Sequence, residues 1–70
     1  MKLLVVVEQT ESGYSAYAPD VPGCVATGQS RTEVERTMRE AIEFHLEGLH
    51  AEGIVPPVPQ AYATVVEVEG

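Results

Sequence analysis

Gly13-Tyr14-Ser15-Ala16-Tyr17-Ala18-Pro19-Asp20-Val21-Pro22-Gly23-Cys24 joins a strand to a rigid corner. Pro19 and Pro22 each fix φ and lack a backbone donor, so neither a helix nor a central strand continues through them. Gly23 supplies the positive φ that such a corner needs. Upstream, Tyr14 to Ala18 has strand length and follows the turn cluster Glu11-Ser12-Gly13. The segment therefore reads as the second arm of a β-hairpin, with Tyr14 and Tyr17 on opposite faces.

The first arm is Lys2 to Glu8, a run of leucine and valine without polar alternation, as expected of a strand covered on both sides. Beyond the corner, Cys24 to Gly28 is a short third strand of small residues. Ser30-Arg31-Thr32-Glu33 fits a capping box and opens a helix predicted over Arg31 to Glu52. At about 100° per residue, Val34, Met38, Ala41, Ile42, His45 and Leu49 share one face, with Leu46 at its edge. Arg36, Arg39, Glu40, Glu43 and Glu47 occupy the solvated side, where Glu35 and Arg39 form a favourable i,i+4 pair. Gly53 suits the position after the helix, and Ile54 to Pro59, with three prolines, runs extended near polyproline II. Tyr62 to Glu69 reads as a last strand.

Strand, strand, strand, helix, strand is most economically an α+β fold: a four-stranded mixed sheet with one helix packed on one face. The last strand then lies parallel to and beside the first, through a right-handed crossover. One helix covers one face only. The other, carrying half of Leu3 to Val7 and half of Val65 to Val68, is left to solvent in a monomer, and such patches mark interfaces. A homo-oligomer is therefore expected, with Tyr17, Val66 and Val68 as candidate contacts. The alternative is that Tyr17, the proline segment and the tail fold over that face.

With 70 residues the chain has room for one small domain, spanning 1–70, and a formal net charge of −7. A domain of this size buries only about 60% of its unfolded surface, which calls for reinforcement. One cysteine, Cys24, excludes an intramolecular disulfide, and its spacing to His45 and His50 does not resemble a zinc site. No metal or cofactor is expected. The hydrophobic share of 44% argues for a folded chain, and no apolar run approaches bilayer length or makes a secretory signal. A cytoplasmic protein without membrane contact follows as the expectation. The acidic balance argues against direct nucleic-acid binding, which depends on Lys and Arg.

The run G-Y-x-x-x-x-P-D-x-P-G-C from Gly13 to Cys24, then Gly28, Glu40-Ala41-Ile42, Leu46, Gly48-Leu49 and the Gly53 to Pro59 stretch, resembles the HicB-like antitoxin family of toxin–antitoxin modules. The likeness extends over nearly the whole chain. It implies a β-β-β-α-β, partial ribonuclease-H-like fold, and a protein that binds and neutralises a HicA-type toxin, itself a small basic RNA-cleaving protein. The likeness is to a short form, without the C-terminal DNA-binding segment that many members carry. For an acidic contact surface toward a basic partner, Glu8, Asp20 and Glu67 are the candidates. The alternative within the same fold is an orphan homo-oligomeric regulatory or small-ligand-binding domain without a toxin.

Catalysis is not expected. Two-metal hydrolysis on a ribonuclease-H-like sheet needs several converging carboxylates, whereas the first strand is apolar at Leu4, Val5 and Val6, and the helix carboxylates point away. Glu8 and Asp20 are the two carboxylates that could meet at a strand end, but at loops such groups are more often solvated surface groups or turn caps. His45 has no Ser, Cys or carboxylate on its face and reads as a core or interface histidine. Pro19, Pro22, Gly23, Ser30, His45 and Gly53 are thus assigned structural roles.

Overall fold

A turn closed by the Thr10 N–H, which donates to the Gly13 carbonyl at 2.8 Å, reverses the chain between its first two strands. The computed structural model describes residues 1–70. It contains β1 (Val6–Gln9), β2 (Tyr14–Tyr17), β3 (Val25–Gly28) and α1 (Arg31–Ala51), forming a three-stranded antiparallel sheet of order β1-β2-β3. Register sets Val7 opposite Ala16 and Ala16 opposite Ala26; on the other face it sets Val6 opposite Tyr17 and Tyr17 opposite Val25. The corner after β2 consists of two successive turns. Val21 N–H donates to the Ala18 carbonyl at 3.1 Å and Cys24 N–H to the Val21 carbonyl at 3.2 Å. These turns press Val21 fully into the core, and Gly23 takes a φ of +89°.

Both ends of α1 are closed by identifiable hydrogen bonds. Ser30, in extended conformation, accepts the Glu33 N–H on Oγ at 3.1 Å. Glu33 reaches back one residue further than the expected reciprocal bond, accepting the Gln29 N–H at 3.2 Å. At the far end Gly53 N–H donates to His50 O and Ile54 N–H to Leu49 O, with Gly53 at φ +72°. This is the double bond of a Schellman motif, and it turns the chain sharply off the helix.

The core lies between α1 and the β2–β3 half of the sheet. Val34, Met38 and Ile42 descend onto Ala16, Ala18, Cys24 and Ala26, all buried, with Val21 closing one end. The small strand residues let the helix approach closely. At Gly28 a Cβ would lie 2.8 Å from the Val34 nitrogen, so glycine there is a condition of the contact. β1 contributes no fully buried residue; Leu3, Val5 and Val7 pack against the core but remain half-buried. Their shared alternation extends upstream of β1 and puts Lys2, Leu4, Val6 and Glu8 on the opposite face.

The expected fourth strand is absent from the sheet: residues 54–70 carry no regular secondary structure. The proline segment does return to the sheet, where Asp20 Oδ2 accepts the N–H groups of Gln60 and Ala61 at 3.1 and 3.0 Å. Past that point the chain is exposed, reaching 98% at Val65. The position of the clamp restricts how the tail can dock. Asp20 follows the Tyr17 end of β2, which is the end at which β1 begins, so the tail can run along β1 only in parallel. With Val66 beside Val5, that direction sets Glu69 beside Glu8, and like charges facing each other disfavour that register.

Three outcomes test this architecture. Met38→Ala lowers stability by about 2–5 kcal/mol, read as a reduced denaturation midpoint. Gly28→Ala costs about 1–3 kcal/mol by forcing α1 off β3, read in the same way. Asp20→Ala accelerates hydrogen exchange at the Gln60 and Ala61 amides, while global stability falls by no more than about 1–2 kcal/mol.

Candidate functional site

Two surfaces of the sheet–helix unit present apolar side chains flanked by charge. The first is the face of the sheet away from α1. Across it runs one row, Val6, Tyr17 and Val25, beside a polar row of Glu8, Ser15 and Thr27. Tyr17 is 44% exposed and Val25 69% exposed, whereas Tyr14, on the other face, packs against the core. The two tyrosines thus face opposite sides, because the β2 pleat alternates its side chains.

The second surface is a groove of about 710 Å³ between the free edge of β1 and α1. Leu3, Val5 and Val7 form one wall and Ile42 and Leu46 the other. Its rim carries Arg31, Glu35, Arg39 and Glu43, a ladder of alternating charge at four-residue spacing along one side of the helix. Only the Glu35–Arg39 step of this ladder figured in the sequence reading; the spacing of four already contained the rest.

His45 stands on the opposite flank of α1, half-buried in a shallower groove of about 430 Å³ shared with Cys24, Val25 and Leu49. The neighbouring Phe44 is 79% exposed and continues this flank outward from Val25. The Cys24 thiol is buried and lies 4.0 Å from the Ala41 carbonyl, a weak contact of a packed sulfur.

The residues singled out from sequence fall in different places. Tyr17 lies on the open face as anticipated, but Val66 and Val68 are in the exposed tail and join no strand with it. Glu8, Asp20 and Glu67 do not form one patch. Glu8 sits opposite Ser15 toward the hairpin end of the sheet, Asp20 follows the other end of β2, and Glu67 is in the tail. The antiparallel hairpin separates Glu8 from Asp20, so the expected approach of these two carboxylates does not occur. Asp20 also spends one carboxylate oxygen on the Gln60 and Ala61 amides. The helix carboxylates Glu40, Glu43 and Glu47 are exposed. Apolar rows with charged rims are the anatomy of protein–protein contact.

A family model described as the HicB_like antitoxin of bacterial toxin-antitoxin system matches residues 3–69. A UPF0150 protein of Helicobacter pylori is 35% identical over 72 aligned positions that cover 90% of this chain and all of the relative. A second UPF0150 protein, from Archaeoglobus fulgidus, is 40% identical over 67% of this chain and 70% of its own length. Among solved structures, a chain of a HicA3 and HicB3 toxin-antitoxin complex superposes with a TM-score of 0.64 at 27% identity, over 83% of this chain and 72% of that one. From the Pro-Asp-Val-Pro-Gly corner to the helix laid on β2 and β3, the chain belongs to the HicB-like antitoxin family.

Proposed function

We propose that this protein is an antitoxin that binds and neutralises a small basic RNA-cleaving toxin of the HicA type by protein contact, without catalysis of its own. The reading rests on the likeness of its sheet–helix unit to a chain of a toxin–antitoxin complex, at a sequence identity that accompanies the shared fold. The net charge of −7 supports it physically, because a basic RNA-binding partner is drawn to an acidic surface and its RNA-contacting cations are occupied there. Exposed Glu40 and Glu47 on the outer helix surface add to the long-range attraction, and the Tyr17–Val25 row, on the sheet face away from the helix, supplies apolar area for a close contact. The sheet is used as a binding scaffold, a part of a ribonuclease-H-like architecture turned from hydrolysis to recognition. Such a complex forms in the cytoplasm, where the toxin meets its RNA.

A small basic protein encoded next to this chain is expected, and co-expression with it tests the proposal. Growth arrest by that protein is relieved, and the two co-purify as one complex; failure of both rejects the antitoxin role. The double variant Tyr17→Asp, Val25→Asp weakens the complex by about 10-fold or more, and association slows as salt is raised.

A further inference from the structure

The groove beside β1 and the tail are both apolar and incompletely covered. β1 is an edge strand whose outer N–H and C=O groups have no ladder partner. Val7 of β1, and Leu3 and Val5 of the run before it, are only half-covered on the helix side. The tail Ala63-Thr64-Val65-Val66-Glu67-Val68-Glu69 is rich in β-branched residues and leaves its valines 71–98% exposed. Both features are costly in an isolated chain: a free apolar edge invites pairing, and an exposed valine run gains from burial.

We infer that the tail of a second copy of this chain adds to β1 as an antiparallel fourth strand, reciprocally, giving a strand-exchanged dimer. The pairing of side chains carries the inference. Setting Val66 opposite Val5 in antiparallel sense also sets Val68 opposite Leu3 and Thr64 opposite Val7, all on the groove side. On the other face it sets Glu69 opposite Lys2, Glu67 opposite Leu4, Val65 opposite Val6 and Ala63 opposite Glu8. No pair sets like charges against each other, and Val65 prolongs the existing row Val6, Tyr17, Val25 across a fourth strand.

The same chain leaves this strand unmade: its own tail carries no strand and stands exposed. Asp20 fixes Gln60 and Ala61 at the end of the sheet where β1 begins, so a tail docking on its own β1 runs parallel to it and does not make the antiparallel pairing. A second copy approaches from outside and has no such restriction. Two reciprocal strands also satisfy the symmetry of a closed dimer, in which each surface meets its own copy's complement. The expected fourth strand thus exists in the assembly, with its direction reversed and its origin in the partner. The inference stands independently of any toxin.

Light scattering of the purified chain at micromolar concentration reads the mass, and a dimer is expected. Val66→Asp with Val68→Asp, at exposed positions outside the core, raises the dimer dissociation constant about 100-fold or more while circular dichroism shows an unchanged helix. Lys2→Glu weakens the dimer, and adding Glu69→Lys restores it. Mixing chains that carry Lys2→Cys with chains that carry Glu69→Cys yields an intermolecular disulfide under mild oxidation. A monomeric wild type overturns the inference. So does a dimer whose mass is unaffected by the tail substitutions, which would place the interface on the open sheet face. Tail variants that keep the dimer but lose toxin binding would assign the groove to the toxin and equally overturn it.

Discussion

The fold depends on how closely one helix lies on two strands. Ala16, Ala26 and Gly28 present almost no side chain upward, so Val34, Met38 and Ile42 reach the sheet backbone directly. A helix with its side chains is about 10 Å across, whereas strands are spaced by about 4.8 Å, so one helix covers roughly two strands. Where the small residues stand settles which two. They are in β2 and β3, and the larger Val7 of β1, with Leu3 and Val5 just before it, is left under the helix margin. The groove beside β1 is therefore a geometric remainder of the tight packing elsewhere.

Charge is distributed to suit this arrangement. The alternating Arg31, Glu35, Arg39, Glu43 ladder keeps the groove rim near neutral, although the chain as a whole carries −7. The excess of negative charge is displaced toward the loops, the outer helix surface and the tail. A chain can in this way attract a basic partner at long range without repelling an acidic strand from its own edge. Had Arg31 and Arg39 been carboxylates, the rim would oppose any tail ending in Val-Glu-Val-Glu.

Much of the hairpin, corner and helix was legible in the sequence because local chemistry imposes it. Two prolines and a glycine leave one kind of corner, Ser30 and Glu33 mark a helix start, and Val34, Met38 and Ile42 at helical spacing mark its buried side. Val21 escaped notice: an apolar residue inside a turn carries no period, and only the successive turns of the corner drive it inward. The tail was misassigned to its own sheet for a different reason. Strand preference reports that Val65, Val66 and Val68 fit a pleated surface, and is silent on which chain provides that surface. The separation of Glu8 from Asp20 was hidden likewise, since both sit beside turns and only the register tells which end of the hairpin each turn occupies. Of the candidate contacts, Tyr17 was legible because alternation along a strand is local, whereas the groove arises from the relative width of helix and sheet, which no residue pattern states.

The Asp20 clamp has a kinetic meaning. The hairpin, corner and helix cap close over short stretches of sequence, but the bonds from Asp20 to Gln60 and Ala61 join positions 40 and 41 residues apart. Closing so long a loop carries an entropy loss that only a formed sheet and helix can offset, so the clamp is expected late in folding. The stiff Pro56-Pro57-Val58-Pro59 strap lowers that loss by narrowing the paths open to the chain. A chain emerging from synthesis thus has its sheet and helix in place before its last valines are aimed anywhere, which shortens the interval in which a sticky segment meets an unfinished core.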